Sequence, residues 1–358
     1  VKKTSISIHV VSVFVSFLVL ALSFSAAGAT LRVCKIGCEF SSIEPAINSA
    51  EPGDTVRIQN GNYSENFNLD KDVTLIGANS RWVRVTPSNR GSPAIVVGPS
   101  PASVEIRNLT VIGEGEQRPV NGVTVTGDAE LTMENSRVNN FRNALTAKHS
   151  SYLKIRNSAV VNPGTGVTGL DKSEVIVSGS EISSAETGLV AGDSTKITLV
   201  DTEISNCNRV AVLVKGTAKV NALSSSVSNN PSPGIVIRDF SRLNLEDSQI
   251  SSNEGGGLLV KNSAIANLTD NRITYNEKKN VSVISKKCGF SGPSNLFFGE
   301  VNGAGNEIKP AGSTTICPSK FSRITSSRGG SYSYPFKPST YAFIGLVGVA
   351  TAYFLISR

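Results

Sequence analysis

Along the middle of the chain, apolar and polar residues alternate at every second position in short runs, and the runs recur. Small-then-apolar pairs begin at Gly122-Val123, Ala144-Leu145, Gly166-Val167, Gly188-Leu189, Ala211-Val212, Gly234-Ile235, Gly257-Leu258 and Asn280-Val281, at intervals of 22, 22, 22, 23, 23, 23 and 23 residues. A second alternating series ends on Asn108, Asn135, Asn157, Gly179, Asp201, Ser224, Asp247 and Asp270. An apolar position follows three residues after each of these, from Val111 and Val138 through to Ile273. Period-two alternation with β-branched residues predicts strands. No segment inside a repeat sustains helical spacing. A fixed period of this size marks a solenoid. Three short strands per period, each lying about 4.8 Å from its counterpart in the next, make a parallel β-helix. The expected fold is therefore all-β: a single-stranded right-handed parallel β-helix. About 10 coils give a rod of roughly 50 Å.

The turn and end signals fit this plan. In the column from Asn108 to Asp270 the chain must bend sharply between strands, and Asn, Asp and Gly tolerate left-handed backbone angles. These residues are structural corners, and stacked Asn side chains in the column are expected to bond to one another as a ladder. Open strand edges at the ends of a solenoid need covers. Phe40, Ile43, Ile47 and Ala50 fall at helical spacing, with Ser41 or Ser42 as cap and Pro52-Gly53 as stop, which predicts a short N-terminal capping helix. Residues 288–318 are the corresponding C-terminal cap.

The two ends carry address signals. Lys2 and Lys3, the apolar run from Val10 to Phe24 and the small-x-small site Ala27-Gly28-Ala29 read as a signal peptide over 1–29, or as an uncleaved anchor. Residues 30–100 then hold the N-terminal cap and first coils, and 101–287 the regular repeats. Residues 319–338 form a stalk rich in Ser, Gly and Pro. The uncharged run from Tyr341 to Ile356 predicts a transmembrane helix over 339–357. Small residues before it also allow a processed lipid or wall anchor. The expected location is exported, at a cell surface or in a periplasm. Of the five cysteines, Cys34 with Cys38 and Cys288 with Cys317 are expected to staple the two ends, leaving Cys207 as a buried thiol. The formal charge of +7, less Lys2, Lys3 and Arg358, leaves +4 on the middle. That is too weak and too scattered for nucleic acid. One His outside the leader and one Met predict no metal site, and no cofactor is implied.

Residues 40–77 run from an apolar helix through P-G-D-T-V-R-I and N-G-N-Y-S-E-N-F to K-D-V-T-L-I-G. This order resembles the opening of secreted right-handed parallel β-helix proteins of the pectin lyase-like superfamily, in the NosD-like branch with carbohydrate-binding and sugar-hydrolase domains. The likeness covers about residues 33–290. It implies the fold, and it makes Asp54 part of the fold signature. Enzymes of the superfamily usually attack acidic polysaccharides. Their D-D, G-H-G and R-I-K strings do not occur here.

Column arithmetic supplies the candidate sites. Arg107, Glu134 and Arg156 share one outward column, as a surface ion-pair ladder or a polar strip for sugar. Glu181 and Glu203 sit one coil apart, close enough to share a proton or cation, which is the least that acid–base work on glycosides requires. Glu114, with Glu116 and Arg118, lies in a loop five residues longer than its equivalents, and long solenoid loops often carry recognition. N-x-S/T sequons occur at Asn62, Asn108, Asn267 and Asn280. The first expectation is a surface-anchored binding or structural envelope protein with a polysaccharide or envelope-glycan ligand. The alternative is a divergent polysaccharide lyase, glycoside hydrolase or epimerase.

Overall fold

The computed structural model describes residues 28–115, 117–284, 300–304 and 306–309. The chain winds as a right-handed parallel β-solenoid of about eleven turns. Its three faces are parallel sheets of 12, 11 and 10 strands, here called A, B and C. A regular coil passes from a five-residue strand on A to a three-residue strand on B and then to sheet C, as in Tyr152–Arg156, Ala159–Val161 and Thr165–Gly169. The register follows the repeat arithmetic: Leu153 pairs with Leu131 and Val175, Val160 with Val138 and Ile182, and Val167 with Leu145 and Leu189. The alternate side chains point inward and stack as one continuous core of Val, Ile and Leu. Each of these contributes roughly 1.5–3 kcal/mol by burial. The recurrent small residue of sheet C is explained by a close approach. A Cβ at Gly188 would lie 2.6 Å from the carbonyl oxygen of Ala211.

Left-handed residues occupy all three corners of the coil. The column Asn108, Asn135, Asn157, Gly179, Asp201, Ser224, Asp247 and Asp270 has φ between 45° and 57°, and turns A into B. Asn140, Asn162, Ser184, Asn206, Asn229, Ser252 and Tyr275 turn B into C, and Gly127, His149, Asp171, Asp193, Gly216, Asp239 and Asn262 turn C into A. The expected ladder does not run through the first column. It lies one residue later and faces inward. The Ser158 hydroxyl accepts from the Ser136 backbone N–H and Ser180 from Ser158. The same step recurs through Ser225 and Ser248; Asn271 accepts from the Ser248 N–H and passes the ladder on to Asn306, whose side-chain oxygen accepts from the Asn271 N–H. The reason is geometric: the left-handed residue points its side chain to solvent, while the next residue turns its side chain into the corner. A second buried ladder lines the B–C corner, where Asn230 donates to Asn253 (2.6 Å) and Asn253 to Asn276 (2.8 Å).

Helix α1, Ile43–Ser49, precedes the first full coil and buries Ile43, Ala46 and Ile47. Phe40 lies outside it, bridged to Val33. Neither Ser41 nor Ser42 closes the helix. Ser42 holds the N-cap position without a side-chain bond. The Glu65 carboxylate instead accepts the backbone N–H groups of Ile43 and Glu44 at 2.9 Å. Lys71 Nζ donates to the carbonyl of Ala50 just past the other end. Opposite charges thus face the matching ends of the helix dipole. Asp54 receives the backbone N–H groups of Ala29 and Glu51, which accounts for P-G-D-T as a fold signature. Cys34 and Cys38 form a disulfide with Cα atoms 5.5 Å apart, and Cys207 is a buried free thiol. Cys288 and Cys317 lie outside the described residues, as do residues 1–27 of the expected 1–29 leader, the stalk and the 339–357 segment. Among the described residues no helix is long and apolar enough to cross a membrane.

Candidate functional site

An open groove of about 950 Å³ runs along sheet B and its corner with sheet A. Its axis is one outward column of sheet B: Arg84, Thr110, Arg137, Ala159, Glu181 and Glu203, each in register with the next. Five coil steps at about 4.8 Å make this line about 24 Å long. The A–B corner supplies one wall through Asn135, Asn157 and Asp201, and the chain at Ser136, Ser158 and Ser180, whose hydroxyls turn inward, forms its base. The sequence places these groups because the residue before each inward Val or Ile of sheet B must face out.

The groove is polarised along its length. Arg81, Arg84 and Arg137 line one end, and Glu181, Asp201 and Glu203 the other, with Ala159 between. Arg84 makes a loose ion pair with Glu114 at 3.7 Å. Arg137 Nε donates to Asn139 Oδ1 at 3.2 Å. Arg81 lies over the ring of Trp82, whose indole is 57% exposed beside the basic end. Sheet C is different. Its outward column of Val96, Thr124, Thr146, Thr168, Val190, Leu213, Val236 and Leu259 holds no ionisable group.

The structure brings some of the sequence candidates together and separates others. Glu181 and Glu203 are register partners inside the groove, joined there by Asp201. Glu114 borders it through Arg84, while Arg118 of the same loop pairs with Glu186 and donates to Asn162. Arg107, Glu134 and Arg156 share a column on sheet A, outside the groove lining. There Arg107 pairs with Glu105 on its own strand and with Glu134 at 3.5 Å. Burial and the Arg156 charge hold the neighbouring Lys154 below its ordinary pKa. Among the sequons, Asn62 is exposed on its strand and Asn108 holds a left-handed corner. Asn267 donates its amide to Asn244 at 2.7 Å, and Asn280 is fully buried, accepting from Asn276. Among the described residues no group of acidic, His or Cys side chains is placed to hold a metal ion.

Arg81, Arg84 and Arg137 were not singled out from sequence. The column that yields Glu181 and Glu203 also yields Arg137, one residue before Val138. Arg84 is harder to find because the spacing of the first coils is irregular.

Residues 121–295 match the family described as the right-handed β-helix region. No curated protein matches the chain in sequence. Among solved structures, it is similar to the A-module of the mannuronan C-5 epimerase AlgE4 of Azotobacter vinelandii, at 14% identity and a TM-score of 0.50, over 74% of this chain and 91% of that one. It is also similar to the Dettilon tailspike protein, at 10% identity and a TM-score of 0.58, over 78% and 61% of the two chains. Tailspike protein 2 of bacteriophage CBA120, in its enzymatically active domain, aligns at 11% identity and a TM-score of 0.53, over 73% and 43%. At these identities the likeness establishes the shared fold.

Proposed function

We propose that this right-handed β-helix binds an extended carbohydrate chain in the groove along sheet B. The observation that carries the reading is the groove itself: open, several coils long, and lined by guanidinium, amide, hydroxyl and carboxylate groups. Such a surface suits a polymer that offers hydroxyl and charged groups along its length and is recognised without deep burial. The named epimerase relative acts on mannuronan, which supports a carbohydrate partner. The leader, the stalk and the apolar 339–357 run support an exported protein tethered to a membrane, with α1 and the Cys34–Cys38 loop covering the first coil. A glycan array with the full chain tests the binding. Retention of extended oligosaccharides, lost in Arg84→Ala/Arg137→Ala, is the expected result, and no retained glycan overturns it.

A catalytic reading rests on a different observation, the register pair Glu181 and Glu203 beside Asp201 in the same groove. It expects new reducing or unsaturated ends from a bound polysaccharide, and loss of them in Glu181→Gln/Glu203→Gln. Product formation unaffected by that double change removes it.

A further inference from the structure

The segregation of charge in the groove specifies more than carbohydrate in general. Resting on the binding reading above, we infer that the ligand is a glycan carrying both acidic groups and free amines, bound in one direction. Its acid sits at Arg84 and Arg137, and its ammonium at Glu181 and Glu203.

Three observations lead there. First, the column is not neutralised internally. Arg107 and Glu134 on sheet A show how alternating signs in one column pair up, at 3.5 Å. In the groove the signs are sorted instead, and Ala159 stands as a neutral step between Arg137 and Glu181. No ion pair joins the groove arginines to Glu181, Asp201 or Glu203 among the described residues. Second, Glu181 and Glu203 are directly opposite each other on adjacent strands. Like charges in that position are unfavourable, and among the described residues no cation within salt-bridge reach relieves them. An ammonium group lying between the two would. Third, three guanidinium groups, those of Arg81, Arg84 and Arg137, line the end where an acidic sugar would lie, against the single carboxylate of Glu114 on Arg84. Arg84 and Glu203 are about 24 Å apart along the column. That is about three screening lengths in physiological salt, so each end acts on its own part of the ligand. A ligand with its acid toward one end and its amine toward the other, bound in reverse, places acid on acid and amine on guanidinium. The groove therefore reads orientation as well as composition.

The test is calorimetric titration of the full chain with three hexasaccharides: neutral chitohexaose, all-acid hexamannuronate, and N-deacetylated heparosan, which carries uronate and free amine. The acid-plus-amine oligomer is expected to bind about tenfold more tightly than either of the others, the yield of one or two charge-assisted bonds. Arg84→Ala/Arg137→Ala removes that advantage. Glu181→Lys/Glu203→Lys transfers the preference to the all-acid oligomer, a gain that a merely unfolded variant does not show. Equal affinity for all three sugars overturns this inference and leaves the carbohydrate reading standing. A peptide bearing the same charges that binds as tightly overturns the choice of a glycan. Binding by none of the four removes both.

Discussion

Single side chains in this coil work at two depths. At the A–B and B–C corners the outward left-handed residue sets the bend, and the residue after it satisfies the backbone inside the bend. Removing the inner one leaves buried donors and acceptors without partners. Asn253, fully buried, bonds the side chains of both Asn230 and Asn276 and the carbonyl of Val227. Asn253→Ala is expected to lower unfolding stability by about 2–3 kcal/mol, against about 1 kcal/mol for Ser158→Ala, measured by denaturant titration. The reverse also holds where the corner residue is poor. Tyr275 has φ 58°, in a column otherwise held by Asn and Ser, and is 61% exposed. Tyr275→Asn is expected to stabilise the chain by about 1 kcal/mol in the same assay. Cys207 shows what burial does to a titrating group. Desolvation pushes its thiol from 9.0 up to about 11. The folded state holds that proton more tightly than the unfolded chain, so the stability it contributes is complete below pH 9 and is lost as pH rises through about 11. Cys207→Ala is expected to lessen the loss of stability across that window, and the native thiol to resist alkylation at pH 8.

Strands and the one described helix depend on partners distant in sequence. The register makes Thr132 and Lys154, 22 residues apart, direct neighbours on sheet A. Thr132→Cys/Lys154→Cys is expected to oxidise to a disulfide, because in-register parallel strands hold paired Cα atoms within bridging range. The offset pair Thr132→Cys/Leu153→Cys, whose second side chain faces the core, is expected to stay reduced in a gel-shift assay. Helix α1 was legible as an apolar stripe, but its caps were not. Sequence points to the nearest serines, and the structure uses Glu65 and Lys71 instead, 22 residues or so along the chain. Local propensity ranks neighbours in sequence and carries no information about what the following strand brings over a helix end. Glu65→Ala is expected to destabilise the chain by about 1 kcal/mol in denaturant titration, through loss of the bonds to Ile43 and Glu44.

The assembled rod presents three faces with different chemistry, and among the described residues sheet B combines a groove with sorted charge. Sheet C stays uncharged along its outward column, sheet A neutralises Arg107 with two glutamates, and the A–B edge gathers arginines and carboxylates at opposite ends of a groove. The repeat period, the strand positions, the outward columns and the first row of corners could all be taken from the amino-acid order. Each depends on alternation and spacing, which a fixed coil length converts directly into neighbours. That is why Glu181 and Glu203 are legible in the sequence as a pair. The other two rows of left-handed corners, the inward position of the ladders, the capping of α1 and the union of Arg81, Arg84, Arg137 and Asp201 with that pair were decided by tertiary structure. These features depend on how the early coils of irregular length bring their side chains onto the same edge, and on which side of a bend each side chain falls. Both are set by closing the coil in three dimensions, where spacing along the chain no longer measures distance.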